Sequence, residues 1–319
     1  MSRPLPEGRP AARMPTGVDG STSLVATLRR TVMEFREDGM TDWAAALTYY
    51  ALLSLFPALI AVSSLIGLVA DADTLTQVVV DVAPGSAADT LAGPIDSITS
   101  NTGAAGVALL LGLAGALWGA SGYTAAFGRA GNVIYEVREG RPFWRLRPVQ
   151  ILVTLVNVVL LVAVVIALVM SGPLLEAVAE PMGLGDTALR VWSWAKWPML
   201  LAAAMVLLVV LYALTPNVRQ RNLISVLPGA LIALVLWAVA TAGFAFYTGN
   251  FGSYDRTYGT LGGVVVLLVW IWLTNVALLL GAEFNAERER TRQIAEGMPG
   301  ALREVQLPVR DEPEPPTTH

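Results

Sequence analysis

The chain has 319 residues, 55% of them hydrophobic and 14% charged, with a mean hydropathy of +0.58 and a formal net charge of −4. Soluble domains average about 25% charged residues, so this composition points to an integral membrane protein. Cysteine is absent and the one histidine, His319, ends the tail "EPEPPTTH", which excludes disulfides and thiolate chemistry and leaves no basis for histidine catalysis or a Cys/His metal site.

Residues 1–22, rich in Pro, Gly and Arg, have little to bury and are expected to be disordered. In "STSLVATLRRTVMEFREDG" the apolar residues Leu24, Leu28, Val32 and Phe35 recur at helical spacing. Arg29, Arg30, Arg36 and Glu37 lie largely on the other faces. This predicts an amphipathic helix, either lying in the membrane interface or packed on the protein's own cytoplasmic surface.

Six uncharged runs follow, at 43–70, 97–128, 148–175, 197–218, 222–254 and 257–282. Each exceeds the ~18 residues that mark a transmembrane candidate. The expected spans are 44–70, 104–127, 149–172, 197–215, 224–247 and 258–282, within a membrane domain of residues 23–290. A Pro-rich tail from 291 to 319 is expected to be disordered. Arg and Lys number 6, 5, 2 and 5 in the N-terminal arm, the 129–147 loop, the 216–221 loop and the C-terminal tail, against 0, 2 and 1 in the intervening loops. The positive-inside rule then places both termini in the cytoplasm. The fold class expected is an all-α, six-span polytopic bundle, N-in and C-in.

The acidic loop 71–96 holds five aspartates, which either draw cations toward a pore mouth or keep an exported loop soluble. In "VWSWAKWPML", Trp192, Trp194 and Trp197 suit an interfacial aromatic belt.

The first span, "DWAAALTYYALLSLFPALI", places Asp42, Ala46, Tyr49, Tyr50, Ser54 and Pro57 along one side. Pro57 denies the Leu53 carbonyl its helical partner, a loss tolerable in lipid only where protein or water replaces it. That side is expected to face protein or a wet cavity. Asn157 and Asn275 are the clearest polar side chains at membrane depth, suited to interhelical hydrogen bonding or to substrate contact. Tyr258 and Gly259, in "YGTLGG", join them as candidate cavity or kink residues. Gly112, Gly115, Gly119 and Gly122 form a seam for close helix packing. A polar network is expected at the cytoplasmic face from Asp42, Arg141, Arg219, Arg221, Glu283 and Asn285. Glu283 is read there as either a solvated cap or half of an ion pair with an arginine of the 129–147 or 216–221 loop, and Asp42 as an acid favoured by a helix N-terminus.

The blocks "DWAAALTYYALLSLFPALI", "GNVIYEVREGRPFWRLR", "LYALTPNVRQRNLISVLPGALIALVLW" and "YDRTYGTLGGVVVLLVWIWLTNVALLLGAEFNAE" resemble the YihY/BrkB family of bacterial inner-membrane proteins over residues 24–290. The resemblance implies a six-helix inner-membrane protein. Members have carried the label ribonuclease BN, have been linked to virulence and serum resistance, and have had roles in moving solutes or lipids suggested. It transfers no catalytic set. The family's recurrent positions stand here as Tyr49, Ser54, Pro57, Arg141, Trp144, Pro216, Gly229, Trp237, Tyr258, Gly259, Gly281 and Glu283.

Three functions are weighed. Interrupted helices and polar groups at membrane depth suit a transporter or exporter, and the lack of a mid-span acid or base favours a neutral or zwitterionic solute. The arginine-rich loop "VREGRPFWRLR" suits lipid handling or envelope maintenance, and a non-catalytic scaffold is the third. A nuclease lacks the histidine or clustered acids that hydrolysis needs. The partners expected are membrane lipids and a small solute, with no nucleic acid and no cofactor or metal.

Overall fold

The computed structural model describes residues 22–69, 102–169, 185–250 and 260–313. These residues are almost entirely helical: α1 (Leu24–Glu37), α2 (Met40–Val69), α3 (Thr102–Ile134), α4 (Phe143–Val169), α5 (Asp186–Leu214), α6 (Leu227–Asn250) and α7 (Thr260–Ala295), with a 3-10 turn at Leu223–Val226. No strand occurs among the described residues, only an isolated bridge between Val218 and Val309. The all-α expectation is met. Among the described residues, five helical stretches are long and apolar enough to cross a bilayer: Leu110–Ile134, Phe143–Leu168, Thr187–Leu214, Leu223–Thr248 and Gly262–Ala295. In addition, α2 covers the first expected span and continues through Pro57. The 1–22 arm, the five aspartates of 71–96, Tyr258 and Gly259 lie outside the described residues, apart from Thr22 at the arm's end.

The helices overrun the uncharged stretches because a charge ends a hydropathy run without ending a helix. Thus α5 begins at Asp186 and carries Arg190 and Lys196, while α7 runs past Glu283 to Ala295. The chain divides into two compact units, Tyr49–Tyr123 and the remainder.

Within Tyr49–Tyr123 the glycine seam is used. A Cβ on Gly119 would lie 2.9 Å from the Ser54 Cα, and one on Gly122 would lie 2.9 Å from the Tyr50 ring. Gly112 is buried and Gly115 half-buried. The Tyr50 ring meets Tyr49 edge-on, with centroids 5.5 Å apart.

In the larger unit α7 packs mainly on α6 and α1, and α4 on α5. The α6/α7 crossing is lined by small residues: Gly229, Ala230 and Ala233 face Ala277, Gly281 and Ala282. A Cβ on Gly229 would fall 2.1 Å from the Gly281 carbonyl oxygen, so glycine is required for this approach. Phe127 stacks on Tyr212, whose hydroxyl donates to the Leu278 carbonyl at 2.6 Å.

Helix α1 is capped by Ser23, whose hydroxyl accepts from the Ala26 amide. It packs inside out. Thr27, Arg30 and Thr31 are buried with Phe35, whereas Leu24 (65% exposed), Val25, Leu28 and Val32 stay uncovered. The polar face thus docks on α7, in line with the second alternative, and the apolar stripe is left uncovered.

The segment after Ala295, expected as a disordered tail, is folded as far as residue 313. Its backbone pairs with the 217–219 strip: the Arg219 amide donates to Pro308 O (2.8 Å) and the Arg310 amide to Asn217 O (3.1 Å). Gln293 brackets Gln306 through two hydrogen bonds, 2.9 and 3.0 Å. These polar contacts stabilise a Pro-rich stretch that has few apolar residues to bury.

Candidate functional site

The longest helix carries the site. Along α7, Asn275, Glu283, Asn285, Glu287, Arg290 and Gln293 are all buried, which is unusual for side chains of this polarity. Each tier of this helix end recruits a different partner.

The tier formed by Asn275 is a hydrogen bond from its Nδ2 to Thr48 Oγ1 (3.1 Å), and Thr48 in turn donates to Ala44 O. Asn285 ties the start of α6. Its Oδ1 accepts from the Gly229 amide (2.8 Å) and its Nδ2 donates to Val226 O (3.0 Å), so it serves an amide that the start of α6 leaves open and the carbonyl that ends the 3-10 turn.

Arg290 is the hub of the next tier. Its Nη1 donates to Glu34 (2.9 Å) and its Nη2 to Glu136 (2.5 Å), while its Nε lies 3.1 Å from Glu287. Glu287 also takes the Nε of Arg30 at 2.9 Å, and Arg30 reaches Thr291 with its Nη2. Thr291 shares a further hydrogen bond with Thr27 at 2.8 Å. Helices α1 and α7 are thus joined by charges with almost no solvent access. Beside them Glu283 is 1% exposed, and its Oε2 meets no hydrogen-bond donor. The charges of Asp38, Glu287, Glu34 and Arg290 act on it. Burial, reinforced by the charge of Glu34, pushes Asp38 up to about 7. Burial likewise pushes Glu136 up to about 7, against the pull of Arg290.

The last tier locks the loops. Asn132 Oδ1 accepts from the Asn217 amide at 2.6 Å, and its Nδ2 donates to Glu139. Arg141 grips Glu139 with two bonds of 2.7 Å and reaches Thr215 O with Nη2. Burial works against ionisation of Glu139, but hydrogen bonds from Arg141 and Asn132 hold it below the ordinary carboxylate range. Arg310 caps α5 by donating to Ala213 O (2.7 Å) and Val218 O (3.1 Å). Beside it a cleft of about 270 Å³ is lined by Leu214, Arg219, Gln220, Asn222 and Leu223.

Of the residues expected at the cytoplasmic face, Arg141, Glu283 and Asn285 are buried in these tiers. Arg219 takes part through its backbone amide, while Asp42 and Arg221 are exposed. Asp42 lies in the first turn of α2, as expected of a helix-start acid, but is exposed, and Asp38, one turn earlier, is the partly buried acid. The nearby cation for Glu283 is Arg290 of its own helix, in place of a loop arginine. Arg30, Glu34, Asp38, Glu136, Glu287 and Arg290 were missed. The signal was present in the i, i+4 pairs Arg30/Glu34 and Glu283/Glu287.

The candidate cavity residues are placed differently. Tyr49 is 61% exposed, and the Ser54 hydroxyl is satisfied by Ala51 O of its own helix. Asn157 is half-buried with its Oδ1 unpartnered, on α4, whereas Asn275 sits on α7. On the belt, Trp194 is 79% exposed and Lys196 lies over the Trp197 ring at 5.4 Å, as suits an interfacial position.

Comparison with known proteins agrees with this architecture. The sequence pattern described as virulence factor BrkB matches residues 31–304. YfkH of Bacillus subtilis (strain 168), which carries a ribonuclease-like name, is 31% identical over 259 residues, covering 80% of this chain and 92% of its own. A UPF0761 membrane protein of Xanthomonas axonopodis pv. citri is 39% identical over 112 residues, which is 34% of this chain and 25% of that one. No solved structure matches. Over most of its length, then, the chain carries the pattern of one multi-helix membrane family, and it belongs to the virulence factor BrkB (YihY/BrkB) family.

Proposed function

We propose that this protein is a transporter or exporter of a small neutral or zwitterionic solute. In this reading it spans the bacterial inner membrane six times, with both termini in the cytoplasm. The observation that carries the reading is the buried charge network on α7. Burying ionised groups costs several kcal/mol each, and membrane proteins hold such groups mainly along solute or ion pathways. Joining two rods needs no such expense, because apolar packing of the Gly229/Gly281 kind suffices.

A second reading, lipid handling, is favoured by the exposed Phe143 and Trp144 beside the exposed Arg145. An aromatic pair next to a cation suits an anionic head-group surface. Hydrolysis is not proposed. The name of YfkH belongs to that protein, and among the described residues no three His, Cys, Asp or Glu are grouped to hold a metal.

The test is flux of labelled solutes, together with lipid scrambling, in liposomes containing the purified protein. Solute flux above empty liposomes supports transport, and scrambling alone supports the second reading. Neither signal across both panels contradicts both.

A further inference from the structure

Five carboxyl groups, Glu34, Asp38, Glu136, Glu283 and Glu287, surround only two guanidiniums, Arg30 and Arg290. They come from three separate stretches, namely α1 with its following turn, the loop after α3, and α7. The geometry divides them unequally. Arg290 commits Nη1 to Glu34, Nη2 to Glu136 and Nε to Glu287, and Arg30 turns to Glu287 and Thr291. Glu283 receives none of these bonds. It is buried with its Oε2 unpartnered, and it feels the charges of Asp38, Glu287 and Glu34. Tyr135, in the loop after α3, is buried as well.

An ionised carboxylate in that position, 1% exposed and with its Oε2 facing no protein donor, carries a large desolvation penalty. A bound proton removes the charge. No other ligand of matching size is indicated, since the described acids are not grouped as metal ligands.

We propose that this cluster is a proton-binding site, with Glu283 as the group that holds the proton, and that the proton is the coupling ligand of transport. The coupling half rests on the transport reading above; the binding half does not. Asp38 and Glu136 connect the site to water. Both are only partly enclosed, and both titrate near neutrality because of burial. They relay protons between the aqueous face and Glu283. Five acids this close release protons as a unit, so the cluster has macroscopic steps and not five private ones. Loss of the proton adds a negative charge beside Arg290, which already balances three partners on α1, the loop after α3 and α7. The redistribution of that one guanidinium is the means by which proton release can shift α1 against α7.

Infrared pH titration of the full-length protein in lipid nanodiscs tests the binding half. The wild type is expected to show a protonated-carboxyl band at pH 7, and Glu283→Gln to lose the Glu283 share of it, leaving the part that Asp38 and Glu136 contribute. Glu283→Gln mimics the protonated form, so it is expected to fold and to melt no lower than the wild type at pH 7, and higher at pH 9. Absence of the band from the wild type, an undiminished band in the variant, or a variant that fails to fold each overturns the proposal. The coupling half is read by solute flux in liposomes with and without an imposed pH difference. Flux absent with the band present defeats the transport reading and leaves the proton site standing. Flux that is indifferent to the pH difference, with no band, defeats the site and leaves transport standing.

Discussion

Replacing Gly229 by alanine probes the contact on which α7 and its buried charges depend. The added Cβ would sit 2.1 Å from the Gly281 carbonyl oxygen and 2.4 Å from the Asn285 side-chain carbon. Backbone cannot rotate away, so the helices must part. Overpacking of this kind costs about 1–3 kcal/mol. Parting also breaks the 2.8 Å bond from the Gly229 amide to Asn285, and leaving those buried groups unpaired adds ~1–3 kcal/mol. Against this stands the gain in helix propensity, at most ~1 kcal/mol. The expected net loss is on the order of 2–5 kcal/mol. Gly243, on the same helix, supplies the control: nothing lies within 4 Å of its would-be Cβ, so Gly243→Ala should be neutral or stabilising by ~1 kcal/mol. Thermal unfolding in detergent, followed by far-ultraviolet circular dichroism, separates the two. Equal melting points for the two variants would refute the close-crossing argument.

Arg290→Met should cost about 3–5 kcal/mol by leaving Glu34, Glu136 and Glu287 without their shared cation, and adding Glu287→Gln should recover part of the loss, read by the same melts. The raised Asp38 and Glu136 predict that stability is greatest below the ordinary carboxylate range. It should fall as pH rises toward about 7, because the unfolded chain releases these protons first, and the contribution of these groups should level off above that. Asp38→Asn should flatten that slope in unfolding measured across pH 4–8. Arg310→Ala strips donors from Ala213 O and Val218 O and should destabilise by about 1–3 kcal/mol, with earlier proteolysis within 296–313. Because the chain has no cysteine, single cysteines report topology directly. Arg138→Cys is expected to react with an impermeant thiol reagent only from the cytoplasmic side.

What the sequence revealed, and what it hid, follows from where each force acts. Apolar length and glycine spacing are local, so the helices and the Gly119/Gly122 part of the glycine seam could be anticipated, whereas the Gly229/Gly281 crossing could not. The ends could not. Glu283 looked like the edge of a span, yet α7 runs on to Ala295, because partners distant in the chain neutralise its charges: Glu34 lies 256 residues from Arg290. Asp42 is the helix-start acid that its place in the first turn of α2 makes it, but it stays exposed, while Asp38 sits in the turn before α2 that is partly buried. The amphipathic pattern of α1 was right, while the face turned to the protein was the polar one, a choice made by the charges of α7. The Pro-rich segment after 296 folds on a strip some 90 residues earlier in the chain, and no local signal encodes that pairing. Tyr49 and Ser54 were read from one helix alone; the serine satisfies itself within that helix and so gives no sign of a cavity.

The proposal that the buried charge network serves transport is tested most directly by solute flux through proteoliposomes, comparing the wild type with Glu283→Gln under an imposed pH difference. Wild-type flux should exceed that of empty liposomes and respond to the gradient, while the variant, folded and oriented alike, should lose the gradient dependence. Equal behaviour of wild type, variant and empty liposomes would contradict it.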